Sequence, residues 1–198
     1  MTAQRLLADL AGEAALTAMR RTAKVVGCGR WNRGDDQFGL LVVQRLMQDA
    51  HGDVDITTSE SPGADLLSLI EGIDLLVLVD AAVASAALPV GALRRIRLND
   101  RAVMTGAVCR FATRVSSAHS LGVGYALALA DSLGIQPQEI WIYVVGSHDF
   151  SLGAAMSQSV AVQIEPTARR IRKDLQRAMR RGAPEAFSHS AGTGAGHA

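Results

Sequence analysis

Cysteine is almost missing from this chain of 198 residues: only Cys28 and Cys109 occur, and they form no Cys-x-x-Cys pair. That excludes a disulfide framework and a thiolate zinc site, and it fits a reducing compartment. A dominant charge is missing too. The 20 basic residues against 19 acidic ones leave a net of +1, so no overall field draws the protein to nucleic acid or to an anionic membrane. Any partner must be recognised locally. Long apolar runs are also absent near the N-terminus. Asp9, Glu13, Arg20 and Arg21 interrupt the hydrophobic residues there, which leaves neither a signal-peptide core nor a membrane span, and a cytoplasmic location is the expectation.

What the chain does have is hydrophobic content, 48% of its residues, enough to bury one substantial core. The pattern predicts a single α/β domain over 24–181, with a helical extension over 1–23 and a disordered Gly/Ala/Ser/His tail over 182–198. Leu6, Leu7, Leu10, Ala14, Leu16 and Met19 recur at helical spacing in the lead segment. Lys24 to Cys28 is a short β-branched run that stops at Gly27-Cys28-Gly29, as a buried strand entering a loop would. A helix is predicted from Asp36 to Asp49, with Asp35 or Asp36 as the favourable acid at its start, then a strand from Val54 to Thr58 and a short helix from Pro62 to about Glu71.

The run Leu75-Leu76-Val77-Leu78-Val79 predicts a central parallel strand, with Asp80 at its C-terminal end. Leu93 to Leu98 alternates apolar residues with arginines, as an edge strand does. Ser116 and Ser117 precede a buried helix from His119 to Leu133, stopped by Gly134. A last strand is predicted from Glu139 to Val145 and one long closing helix from about Ala154 to Arg181. Alternating strands and helices give a three-layer α/β/α sandwich around a twisted, mostly parallel sheet of about five strands, with ligands expected beyond the strands' C-terminal ends.

Asp35 and Asp36, Asp80 and His119 all fall at element ends, and Asp36 and Asp80 fall at that rim. Two carboxylates and an imidazole suit nickel, zinc or a similar divalent ion, with positions left for a partner's ligands. Acidic residues at helix starts are equally explained as caps, and the residue pattern by itself leaves both readings open.

The segment Gly27-Cys28-Gly29-Arg30-Trp31-Asn32-Arg33-Gly34-Asp35-Asp36-Gln37-Phe38-Gly39, followed by an apolar helix, resembles the opening signature of the hydrogenase maturation proteases, G-x-G-N-x-L-x-x-D-[DE]-x-x-G, and aligns with it without a gap. Ser61-Pro62-Gly63-Ala64-Asp65-Leu66-Leu67 is similar to that family's T-x-G-x-[ED]-L-L step, Leu78-Val79-Asp80-Ala81 to its apolar strand ending in D-A, and Ser116-Ser117-Ala118-His119-Ser120-Leu121-Gly122 to its S-x-H-x-x-G segment. The resemblance implies an endopeptidase that removes a C-terminal peptide from the precursor of a [NiFe] hydrogenase large subunit. In it Asp36, Asp80 and His119 complete the coordination of nickel that the substrate brings, and no serine or cysteine nucleophile is implied. The ion could polarise the scissile carbonyl, acidify a bound water or position the peptide. Arg30 stands where the family has asparagine, and Asn32 where it has an apolar residue, so the loop after the first strand is expected to turn or contact substrate differently.

Two rival classes stay in view: a noncatalytic nickel-dependent checkpoint or carrier, and an α/β small-molecule hydrolase or nucleotide-binding enzyme on the same scaffold. Ser147-His148-Asp149 holds the residue types of a serine hydrolase, but sequence neighbours on an extended chain point apart and cannot form the relay. Cys28 as nucleophile with His119 as base is weighed against a small core residue. Gly27-x-Gly29-x-x-Asn32 lacks the third glycine of a dinucleotide fingerprint. Arg169, Arg170, Arg172, Lys173, Arg177, Arg180 and Arg181 form either a grip for an acidic surface or a solvated helix face. Trp31 and Phe38 are docking surface or packing, with nothing in the sequence to choose between them, and the oligomeric state is equally open.

Overall fold

The computed structural model describes residues 21–48, 54–98 and 120–181. The predicted lead helix and tail, together with Cys109, Ser116, Ser117 and His119, lie outside the described residues.

Among the described residues five strands form one sheet: β1 (Ala23–Cys28), β2 (Val54–Ser59), β3 (Leu75–Val83), β4 (Leu93–Leu98) and β5 (Glu139–Ser147), in the order β2-β1-β3-β5-β4. All pair in parallel except β4, which runs antiparallel to β5 at the edge. The helices are α1 (Phe38–Gln48), α2 (Pro62–Ile70), α3 (Ser120–Leu133), α4 (Gln158–Ala161) and α5 (Ile164–Arg181), and a 3-10 turn (Gly34–Gln37) leads into α1.

Strand alternation divides the interior into two cores. Val25, Val77, Val79, Trp141, Tyr143 and Val145 face α1 and α5, joined by Phe38, Val42, Ala168 and Ile171. Val26, Cys28, Leu76, Leu78, Ile140 and Ile142 face the other way, onto Leu66 and Ile70 of α2 and Val123, Ala126 and Leu127 of α3. Each fully buried Val, Leu, Ile or Phe contributes about 1.5–3 kcal/mol, which is why the central strands carry almost nothing but such residues. The three-layer α/β/α sandwich is as the sequence predicts.

Strand β5 runs to Ser147, two residues past the predicted end, and three further differences from the sequence reading bear on the site. Strand β3 continues to Val83, so Asp80 is inside the strand and not at its end. The strand persists because β5 keeps pairing with it, from Asp80↔Val144 to Val83↔Ser147, after β1 has stopped at Gly27↔Val79. The first helix opens as a 3-10 turn at Gly34, before the α-helical turns begin at Phe38. The closing helix is two helices, α4 and α5. Pro166 has no N–H to bond Val162 and its ring would clash there, so a continuous helix breaks before it; in the first turn of α5 the missing donor costs nothing.

The glycines of the β1–α1 segment set how closely helix and sheet approach. A Cβ on Gly39 would stand 2.3 Å from both the Cys28 and Val79 carbonyl oxygens, and one on Gly29 (φ +144°) 1.8 Å from the Asp36 carbonyl oxygen. The start of α1 therefore rests directly on the backbones of β1 and β3. We expect Gly39→Ala to push the helix off the sheet and to lower stability by about 1–3 kcal/mol, read from urea denaturation; unchanged stability would mean that the close approach is not needed.

Candidate functional site

In this strand order, the chain leaves β1 toward β2 on one side, while β3 begins the other half of the sheet. The gap beyond the C-terminal ends of β1 and β3 is the topological switch point, where open α/β sheets place their ligands. Two carboxylates meet there. Asp80 is the first residue of β3 beyond its pairing with β1, and Asp36 is delivered by the 3-10 turn that Gly29 and Gly39 press against the end of β1. Both are buried, 3% and 1% exposed.

Burial, the charge of Asp36 and, in the opposite sense, a 2.8 Å bond from the Ala81 N–H to Oδ1 set the Asp80 carboxyl, which is pushed up to about 7. Two neighbouring carboxylates out of water repel, and a divalent cation or a shared proton relieves the repulsion. Oxygen donors of this kind fit a hard-to-borderline divalent ion. Among the described residues no three His, Cys, Asp or Glu side chains close into one cluster. The structure thus brings together Asp36 and Asp80, and the third sequence-predicted ligand, His119, lies outside the described residues. The helix α3 begins at Ser120 and lies on the sheet face toward which Asp80 points. At 1.5 Å per residue, its 14 residues span about 21 Å from the base of β5, against about 17 Å from Glu139 to the level of Asp80 on the neighbouring strand.

Asp35, adjacent in sequence, has a different task. Its Oδ2 accepts from the Ser147 hydroxyl at 2.5 Å, its Oδ1 accepts from the Ser157 N–H at 2.7 Å, and its own N–H donates to the Asp149 carbonyl at 2.9 Å. Burial raises its carboxyl, but these donors outweigh burial and hold it below the usual range. Asp35 is a strut tying the β1–α1 turn to the end of β5, and it fixes the backbone that carries Asp36. Of the two adjacent acids, Asp36 is the one whose charge raises the Asp80 carboxyl, and it is the one the family resemblance singles out. Ser147 and Ser157 were not found by sequence reasoning; the one signal near them, Ser147-His148-Asp149, suggested another role.

The turn is laced further by Gly34 N–H to the Ala154 carbonyl (3.1 Å) and Gly153 N–H to the Asn32 carbonyl (2.6 Å). Asn32 takes φ 58°, a left-handed conformation that asparagine tolerates and bulky apolar residues resist, which accounts for the polar residue at this position. Phe38 is fully buried and belongs to the core, so it is no docking surface; Trp31 is half-buried, its N–H donating to Glu60. Cys28 is buried, and burial together with the charges of Asp80 and Asp36 pushes its thiol up, which makes it a poor nucleophile.

No family model matches the sequence, and no curated protein matches it. Solved structures do match. The hydrogenase maturating endopeptidase HybD from E. coli aligns over 80% of this chain and 93% of its own, with a TM-score of 0.67 at 23% identity. The fold is that of hydrogenase maturation proteases. The [NiFe] hydrogenase maturation protease HybD from Thermococcus kodakarensis is similar over 78% of this chain and 98% of its own (TM-score 0.56, 20% identity), and HycI from Thermococcus kodakarensis KOD1 over 82% and 97% (0.55, 22%). The architecture is shared at identities where side chains have largely diverged.

Because the folded Asp80 holds its proton up to about pH 7, against about 3.9 in the unfolded chain, the folded metal-free protein binds that proton more tightly. Its stability therefore falls as pH rises from about 4 to about 7 and levels off above, by at most about 4 kcal/mol from this group. Asp80→Asn should remove that part of the slope and stabilise the metal-free protein at pH 8; thermal melts in chelator across this range check it, and a wild-type slope kept in the variant would contradict it. Ser147→Ala, which takes one donor from buried Asp35, should cost about 1–3 kcal/mol in the same assay.

Proposed function

We propose that this protein is an endopeptidase that trims the C-terminus of a nickel-loaded [NiFe] hydrogenase large-subunit precursor, acting in the cytoplasm. The observation that carries this reading is the pair of buried carboxylates, Asp36 and Asp80, meeting at the switch point of a fold shared with hydrogenase maturation proteases. The nickel belongs to the substrate. Asp36, Asp80 and His119 would complete its coordination beside the substrate's own ligands, so that only loaded precursor seats its C-terminal peptide at this rim. His119 ligates as the neutral imidazole, and both carboxylates must be ionised.

The role of Asp80 follows from its environment. Its carboxyl is pushed up to about 7 by burial and by Asp36; it gives up its proton when a cation arrives, and the cation cancels the repulsion that raised it. Metal-free precursor offers no such compensation. A serine or cysteine mechanism has little support: Cys28 is buried with a raised thiol, and the Ser147 hydroxyl is spent on Asp35 while His148 points to solvent. The same facts weigh against a small-molecule hydrolase using either nucleophile. Among the described residues no helix is long and apolar enough to cross a membrane.

Purified protein incubated with nickel-loaded precursor should release a C-terminal peptide, followed by mass. Asp36→Ala, Asp80→Ala and His119→Ala should each slow release by roughly 100-fold or more, since loss even of a ligand's supporting partner costs metal sites 10–100-fold. Full activity in all three variants would end the assignment. A stable, nickel-dependent complex with no loss of mass would identify a checkpoint or carrier instead of a protease.

A further inference from the structure

The opposite rim of the sheet carries a second polar feature that the peptidase reading does not use. A cleft of about 180 Å³ opens between α5 and the N-terminal end of β5, lined by Arg21, Arg97, Glu139, Trp141, Asp174 and Arg177. An engineered cavity of about 150 Å³ takes one benzene, so the cleft has room for a small molecule and not for a nucleotide.

Its two carboxylates are committed to neighbours. Glu139 accepts the Trp141 indole N–H at 2.5 Å and an Arg21 N–H at 2.7 Å; Asp174 accepts the Tyr143 hydroxyl at 2.7 Å and an Arg95 N–H. Burial pushes both carboxyls up, but these partners outweigh it and keep both ionised well into the acid range. They act as struts that fix guanidinium groups in a partly desolvated position: the Arg21 and Arg95 side chains are only 23% and 24% exposed.

The remaining donors are unspent. Arg97 lies over the Trp141 ring, 4.6 Å from its centroid, and approaches Glu139 only at 3.9 Å, which leaves its N–H groups without a bonded acceptor. Arg177 makes no hydrogen bond or ion pair among the described residues. Three guanidiniums against two carboxylates already engaged with neighbours leave the lining net positive. Guanidinium forks match planar or tetrahedral oxyanions, binding two oxygens at once.

The geometry points to this cleft as a binding site for a small, multiply charged oxyanion of the phosphate or short dicarboxylate class, held by Arg97 and Arg177 with Arg21 behind them. It is independent of the Asp36–Asp80 pair, which sits at the other end of the strands.

The test titrates the full chain with inorganic phosphate and, in a separate arm, malonate, at ionic strength matched with chloride. Trp141 fluorescence in a Trp31→Phe background is the readout. Saturable quenching or shift by either anion is expected, and the arm that responds names the ligand class. Arg177→Gln, which breaks no contact of the folded protein, should weaken binding roughly fivefold, about 1 kcal/mol for one partly exposed charge-assisted contact. Asp36→Ala and Asp80→Ala should leave it unchanged. A response that never saturates, or one that saturates equally in Arg177→Gln, would overturn the proposal.

Discussion

The charge coupling between the buried carboxylates of Asp36 and Asp80 is the constraint around which the rest of the molecule is arranged. Both are removed from water, and burial together with the charge of Asp36 pushes the Asp80 carboxyl up to about 7. They are held together by backbone. Gly29 and Gly39 let the start of α1 sit directly on the ends of β1 and β3, at a separation no side chain would permit. Two buried carboxylates coupled in this way suit a divalent cation, and the proposed function rests on that chemistry.

The adjacent acid shows how environment assigns chemistry. Asp35 and Asp36 share a turn, and both are buried. Asp35 receives a hydroxyl and a backbone N–H, which hold it ionised and immobile; Asp36 faces another carboxylate. One carboxylate stabilises the fold while its neighbour strains it for use, and the strut at Asp35 also anchors the loop from Asp149 to Ala154 that walls the same rim. Near-zero net charge conceals a similar division at larger scale. Buried acids concentrate at the C-terminal rim, while arginines from β4 and α5 gather at the opposite one, with Glu139 and Asp174 between them.

The sequence alone determined the layer order, the parallel sheet and the arginine-guarded edge strand, because those follow from periodicity and from the cost of leaving apolar faces or strand edges open. It also determined that Asp36 and Asp80 lie near the switch point, since glycines and apolar runs mark where strands end. Residue pattern did not distinguish Asp35 from Asp36, which only the family resemblance separated, and it placed Asp80 at the end of β3: which way a turn faces, and whether a strand survives a buried charge, depend on what β5 and Ser147 supply from more than a hundred residues away and from across the sheet. Pro166 interrupts the single closing helix that periodicity predicts, because its missing N–H and its ring break the helix before it. The paired carboxylates, the strut and the arginine cleft were decided only in three dimensions, because each consists of groups whose hydrogen bonds and charges have meaning only against partners the chain brings from elsewhere.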